Sequence, residues 1–237
     1  MAHHRPARSR RLDALADILP PTDSLADVGT DHGGLLIALV LAGKIQKGIG
    51  IEIAEGPFRA ASDHVADSDC GKQIEIRLGN GLNPVAQGEV TACAIAGLGG
   101  KTIIDILEAS PDTTAGLDWL LLQPMTGLKK VRLHLQRTGW AIWDEKLVEE
   151  RGILYTILLA MRGEPAPLSD VEAEFGPILL AKKPPLLEKD IRQRIQGLQK
   201  ITDQLEQSAQ SASQEKKGCF YKQIQEWEAL YHVLYLS

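Results

Sequence analysis

No part of this sequence is suited to crossing a membrane as a helix. The longest unbroken apolar run, Leu35 to Ala42, falls far short of the roughly 18 residues that a span requires. The basic residues near the start have no apolar stretch behind them, so a secretory signal is not expected. Cysteine is scarce. Cys70, Cys93 and Cys219 are odd in number, far apart and without CxxC spacing, which argues against a disulfide framework and against a zinc site; no metal is expected. An excess of positive charge is missing too: the net charge is -5, which alone speaks against a nucleic-acid partner. What remains is a chain of 237 residues with 44% hydrophobic and 24% charged residues. That suits a cytoplasmic protein with one full-sized α/β domain and a modest appendage.

The distribution of charge qualifies its total. Residues 1–163 have a net charge of -3, residues 164–181 of -4 and residues 182–237 of +2. The first eleven residues hold Arg5, Arg8, Arg10 and Arg11 and no acid. Basic groups therefore gather at the two ends, where a phosphate backbone can be gripped although the whole is acidic.

Short β-type runs alternate with helix-type stretches through the first two thirds of the chain. An amphipathic segment, Arg11 to Leu19, stops at Pro20-Pro21. Strands are expected at 25–28, 47–53, 74–78, 90–96 and 119–123, with helices at 35–41, 56–65, 100–109 and 128–138 between them. Two final strands, 140–148 and 155–162, flank a turn at Arg151-Gly152, too short for anything but antiparallel pairing. The expected fold is α/β: a Rossmann-like, mostly parallel, doubly wound sheet with an antiparallel edge hairpin.

Prolines at 165, 167, 177, 184 and 185 mark residues 164–185 as a linker or a wrapping segment after a domain of residues 1–163. Beyond it, Ile191, Ile195, Leu198, Thr202 and Leu205 form one apolar stripe, and Phe220, Ile224, Trp227, Tyr231 and Leu234 another. Heptad-type spacing on two helices, joined through a Ser/Gln/Ala-rich stretch ending at Gly218, predicts a coiled-coil-like antiparallel helical hairpin over 186–237.

The candidate chemistry sits at the strand ends. The first strand ends in Asp27-Val28-Gly29-Thr30-Asp31-His32-Gly33-Gly34, a turn without the G-x-G-x-x-G of dinucleotide folds. Acids here suit a ligand with positive charge and hydroxyls, such as S-adenosylmethionine; Asp31 serves equally well as a helix cap. Glu52, 25 residues beyond Asp27, stands at the second strand's tip, where an acid accepts hydrogen bonds from ribose hydroxyls. Ile53 follows it. Gly79-Asn80-Gly81 makes a tight turn that can meet an adenine edge, or is only a turn. Ala96-Gly97-Leu98-Gly99-Gly100 opens a floor at mid-sheet. Gly100-Lys101-Thr102 is not a phosphate loop, because Ile95 stands where that motif needs glycine. Gln123 and Pro124 are expected to line the same crevice on the acceptor side. Asp144, Glu145, Glu149 and Glu150 read as a solvated edge.

Taken together, Ala26 to His32, Glu52 to Phe58, Gly79 to Leu82, Ile95 to Gly100, Leu122-Gln123-Pro124 and Val148-Glu149-Glu150 with Tyr155 resemble the TrmK family of tRNA adenine-N1 methyltransferases. The resemblance covers the whole chain. It implies a class I methyltransferase sheet, S-adenosyl-L-methionine as donor and adenine 22 of the tRNA D arm as acceptor. Carried over, Asp27, Gly29, Thr30, Asp31 and His32 would surround the methionine part, and Glu52 and Ile53 the ribose. Asn80 and Gly81 would face the adenine, with Ala96, Gly97 and Leu98 at the entrance. Members often have Asp where Asn80 stands and Asn where Met125 stands. N1 of adenine has a free lone pair and needs no base, but its product is cationic. Asp31 is therefore the expected catalytic carboxylate. Lys182, Lys183, Lys189, Arg192 and Arg194 are expected to hold tRNA. The rival readings are a methyltransferase with another acceptor and a catalytically inactive tRNA-binding protein.

Overall fold

The structure, a computed structural model, describes residues 9–206 and 211–236, with the backbone alone at 206 and 211–216. Arg5 and Arg8 lie outside the described residues. The chain forms two compact units, residues 1–179 and 180–237.

The first unit is built on a seven-stranded sheet of order β3-β2-β1-β4-β5-β7-β6. Its strands are β1 (Ser24–Val28), β2 (Lys47–Glu52), β3 (Ile74–Leu78), β4 (Ala92–Gly99), β5 (Trp119–Thr126), β6 (Trp140–Glu150) and β7 (Ile153–Arg162). The first five run parallel, and β7 is antiparallel to both β5 and β6. All five residues of β1 are buried, as expected of a parallel strand covered on both faces. One core layer centres on Leu15, Leu36 and Leu39, the other on Ile95, Ile103 and Leu122. Arg151 and Gly152 both have positive φ (51° and 80°), the conformation a two-residue hairpin turn demands.

Six helices connect or cover these strands: α1 (Arg10–Ile18), α2 (Gly34–Leu41), α3 (Glu55–Ala66), α4 (Gly100–Ala109), α5 (Pro111–Ala115) and α6 (Leu128–Arg137). Helix α1 is fastened at its end by Lys44, whose Nζ donates to the carbonyls of Ala16, Asp17 and Leu19 at 2.8, 2.8 and 2.7 Å. One cation thus satisfies three acceptors that a helix terminus leaves orphaned. Strand β4 runs three residues past the expected Ala96. Register shifts against β5 at Leu98 and a positive φ at Gly97 (76°) let glycine-rich backbone continue as a bulged strand.

Residues 164–179 of the Pro-rich segment belong to the first unit. The segment contains α7 (Asp170–Phe175) and α8 (Pro177–Lys182), and α7 opens on a Ser169/Glu172 capping box. Arg132 and Glu145 tie it down. Both are buried, 2.8 Å apart. Arg132 Nη1 donates to the carbonyls of Ala173 (3.0 Å) and Glu174 (2.6 Å), and Glu145 Oε2 accepts from the Ile178 N–H at 3.0 Å. Glu145 is therefore no solvated edge charge: a guanidinium and backbone donors replace its water. The first unit accordingly ends after Leu179 rather than at residue 163.

The second unit pairs α9 (Pro185–Glu206) with α10 (Ser211–Tyr235). Cross-helix bonds from Tyr231 to Glu188 and from Gln199 to Glu228 run in antiparallel order. Ile191, Ile195, Thr202, Ile224 and Trp227 are buried on the expected stripes, and the Thr202 hydroxyl is satisfied by the Leu198 carbonyl at 2.7 Å. Gly218 lies inside α10, not at a joint. The Ser/Gln/Ala/Lys stretch before it has ample helix propensity to outweigh one glycine, which costs about 1 kcal/mol.

Candidate functional site

The ends of β1, β2 and β4 meet where the sheet order reverses, the place at which open α/β sheets hold ligands. Asp27, the next-to-last residue of β1, is buried, and its Oδ2 accepts the Thr30 hydroxyl at 2.8 Å. Burial first, then the nearby Glu52 and Asp31 carboxylates, push its carboxyl up to about 6, against the Thr30 hydrogen bond and the Arg11 guanidinium. Thr30 tucks in because Gly50 on β2 has no side chain: a Cβ there would stand 2.8 Å from Thr30 Cγ2.

The turn after β1 is stitched to the tip of β2. The N–H groups of Gly29 and Thr30 reach the Ile51 carbonyl at 2.9 and 3.3 Å, and the Asp31 N–H donates to Glu52 Oε1 at 2.6 Å. Glu52 is itself buried, so this bond fixes one carboxylate oxygen and leaves the other for a ligand. Gly29, Asp31 and Gly33 all have positive φ (72°, 57° and 71°). For Asp31 that is an uncommon backbone state of the kind held at functional sites. Gly33, not Asp31, is the N-cap of α2, and no side chain caps it. The Asp31 side chain is 87% exposed, with Oδ1 3.7 Å from His32 Nε2. Its cap role is thereby removed and its carboxylate stands open at the mouth. His32 is placed by its carbonyl, 2.5 Å from His64 Nδ1 on α3.

Ile53 is 71% exposed beside Glu52, offering an apolar face at the β2 tip. Asn80 and Gly81 line a 330 Å³ cleft with Leu82, Thr102 and Ile106. Ala96 and Leu98 are half-buried and Gly97 is exposed at the end of β4. Gly100 permits α4 to start against β5, since a Cβ would meet the Thr126 carbonyl at 2.6 Å.

Gln123 and Pro124 do not line an open crevice, for both are buried. Gln123 has no exposed surface. Its Oε1 takes the Arg11 guanidinium at 2.7 Å, and its Nε2 lies 3.5 Å from Met125 Sδ. A two-ended amide can be buried when both ends have partners, and Arg11 and Met125 are the groups above it. Arg11 thus enters the site from α1, a role that no local pattern announces. It also lies over the Tyr155 ring, 5.6 Å from the centroid. Glu150, expected as a solvated edge charge, accepts from the Ser9 hydroxyl and the Arg10 and Arg11 N–H groups, and these bonds lower its pKa. It is an anion at the N-terminus of α1.

Of the five basic residues expected to hold RNA in the second unit, Arg192 and Arg194 bond to acids within it. Arg192 bonds Glu188 at 2.9 Å and the Tyr231 hydroxyl, and Arg194 bonds Asp190 at 2.9 Å. Lys182 and Lys183 are exposed and Lys189 is half-buried. Among the described residues no helix is long and apolar enough to cross a membrane, and no cluster of His, Cys, Asp and Glu could hold a metal ion.

The carboxylates fit a cationic, hydroxyl-bearing ligand, and known proteins are similar. The family model described as TrmK, tRNA (adenine(22)-N(1))-methyltransferase, matches residues 25–229. The Bacillus subtilis (strain 168) tRNA (adenine(22)-N(1))-methyltransferase is 34% identical over 88% of this chain and 90% of its own. The crystal structure of the B. subtilis m1A22 tRNA methyltransferase superimposes with a TM-score of 0.86 at 31% identity, over 96% of this chain and all of that one. Streptococcus pneumoniae Sp1610 in complex with S-adenosyl-L-methionine gives a TM-score of 0.82 at 32% identity, covering 95% of this chain and 100% of that chain.

Proposed function

The chain belongs to the TrmK family of tRNA (adenine(22)-N(1))-methyltransferases, and we propose that it methylates N1 of adenine 22 in the tRNA D arm at the crevice between β1 and β4. When bound, S-adenosyl-L-methionine would supply an electrophilic methyl group that passes in line to the lone pair of N1 as its bond to the sulfonium breaks and the neutral thioether leaves. Asp27, Asp31 and Glu52 make the crevice negative, as a sulfonium and an ammonium group require. Glu52 keeps a carboxylate oxygen for ribose hydroxyls, while its other oxygen holds the Asp31 backbone. Asn80 and Gly81 present a side-chain amide and bare backbone to an adenine edge. Gly29 and Gly97 let main chain approach closely, with Thr30, His32, Ile53, Ala96 and Leu98 shaping the walls.

No general base is needed at N1, so orientation is the main task of these residues. The open Asp31 carboxylate would stabilise the positive charge that develops on the base and so lower the barrier. Reaching N1 also means extracting the adenine from its pairing or stacking, at about a few kcal/mol. Lys182, Lys183 and Lys189 extend the contact with the RNA backbone, and the cytoplasm is the compartment this activity calls for.

The observation that carries the reading is the buried Asp27 carboxylate and its two acidic neighbours at a glycine-rich strand end, in a chain of this family. The test is methyl incorporation from labelled S-adenosyl-L-methionine into unmodified tRNA transcripts, mapped by reverse-transcription stops. One stop at a D-arm adenine is expected. Cofactor binding without incorporation would shift the reading to another acceptor, and the absence of both to an inactive tRNA-binding protein.

A further inference from the structure

Arg11 is a basic side chain that the structure brings into the crevice beside Gln123, and the lone pair chemistry above gives it no task. Its Nη1 is 2.7 Å from Gln123 Oε1 at the end of β5. The same nitrogen stands 3.4 Å from the position of a Cβ built on Gly97, at the end of β4. Its guanidinium carbon lies over Tyr155 on β7. Three strand ends therefore fix one cation beside the place where the target base must sit.

We propose that Arg11 is a phosphate-binding residue for the RNA strand at the target nucleotide, gripping the backbone next to the adenine that is methylated. The proposal rests on the reading of tRNA as substrate. A guanidinium has five N–H donors, and only one of Arg11's is spent on a side chain among the described residues. The Asp27 and Glu150 carboxylates act on the guanidinium by charge without a hydrogen bond to it among the described residues, and bidentate capture of a phosphate is what the remaining donors of such a fork do best.

Charge leads to the same place. Methylation leaves a positive charge on the base, and a guanidinium beside it works against that charge; a phosphate on Arg11 adds a counter-charge to those of Asp27 and Glu150. The side chain is also pre-positioned, which limits the entropy lost on binding. Helix α1 is fastened at one end by Lys44 and at the other by Glu150 and Ser9, while Tyr155 and Gln123 orient the guanidinium itself. Arg10 is exposed beside it, and Arg151 is exposed next to Glu150.

The test compares wild type, Arg11→Lys and Arg11→Met in equilibrium binding of unmodified tRNA across salt concentrations, with calorimetry of S-adenosyl-L-methionine alongside. Arg11→Met keeps an apolar contact with Tyr155. It is expected to bind tRNA about 10- to 100-fold more weakly, as for a lost hydrogen bond to a charged group. Its slope of log affinity against log salt should be shallower by about 0.7 to 0.9, the value of one phosphate contact. Arg11→Lys should keep the slope and lose only part of the affinity. Cofactor affinity is read separately, because Arg11 also acts on the charge of Asp27. An unchanged salt slope in Arg11→Met overturns the proposal, whether thermal stability falls, which would make Arg11 a packing residue, or cofactor affinity falls, which would assign it to the donor side. Wild-type protein that binds tRNA but transfers no methyl to it would overturn the methylation reading alone, because the binding slopes test Arg11 separately.

Discussion

Replacing Asp27 by Asn separates what the site costs from what it does. Asp27 is held by desolvation, and then by repulsion from Glu52 on β2 and Asp31 in the turn; the Thr30 hydroxyl and Arg11 on α1 act the other way, and the Cys93 thiol on β4 also faces it. The carboxyl rises from an ordinary 3.8 to about 6. A folded state that holds its proton more tightly than the unfolded chain is stabilised by that proton at low pH. It loses this stability as pH rises from about 4 through 6, and above that the deficit is constant. At ~1.4 kcal/mol per pH unit, ionised Asp27 costs up to ~3 kcal/mol at neutral pH. Asparagine keeps an oxygen for the Thr30 hydroxyl, now 2.8 Å away, and turns its amide hydrogens toward carboxylates. Urea unfolding should therefore find Asp27→Asn equal to wild type near pH 4 and more stable by ~1 to 3 kcal/mol at pH 7.5. Calorimetry should find its affinity for S-adenosyl-L-methionine reduced at least tenfold, and wild-type affinity should fall as pH drops below 6. A stability gap that does not change with pH, or a variant less stable than wild type at pH 7.5, would refute this account of the charge.

Other expectations follow from local geometry. Gly50→Ala puts a methyl group 2.5 Å from Ile76 Cδ1 and 2.8 Å from Thr30 Cγ2; it should cost about 1 to 3 kcal/mol in chemical denaturation and weaken cofactor binding by displacing Thr30. Glu145→Leu leaves Arg132 charged and buried with its carboxylate partner gone; a loss of about 3 to 5 kcal/mol is expected, and limited proteolysis should then cut near residues 164–179. Burial raises the Cys70 and Cys93 thiols while Cys219 is exposed, so Ellman's reagent should titrate one thiol in the native protein and three after denaturation.

What could be read from the sequence was local. Strand ends showed themselves by glycines and acids at fixed offsets. The two helical stripes of 191–205 and 220–234 showed themselves by spacing, because a buried stripe has to repeat with the helix. The antiparallel edge hairpin followed from a turn too short for any other connection. The segment 164–185 stayed open between linker and wrap, because prolines report only where a helix cannot continue. They say nothing of the buried Arg132–Glu145 pair that holds the segment down, nor of the capping box at Ser169. Gln123, by contrast, misled. Its position at a strand end was right, but its burial depends on Arg11, 112 residues earlier in the chain, and no periodicity links the two.

The residue that escaped the sequence, Arg11, is one whose meaning is a counter-charge. Asp27 and Glu52 are buried acids, and Asp31 is an aspartate in a left-handed turn; each is unfavourable alone, and together they repel one another. An arrangement of this kind persists when selected for a cationic ligand rather than for stability. The chain offsets part of its cost with a cation, and that cation cannot come from the sheet, whose strand ends at this point are acids, glycines and apolar residues. It comes instead from α1, which precedes the sheet in sequence and is held over it by Lys44 and Glu150. The basic cluster at the start of the chain, which on composition was only a possible grip for phosphate, thus places one of its arginines inside the crevice, where the same charge that offsets the acids is available to the backbone of an RNA strand.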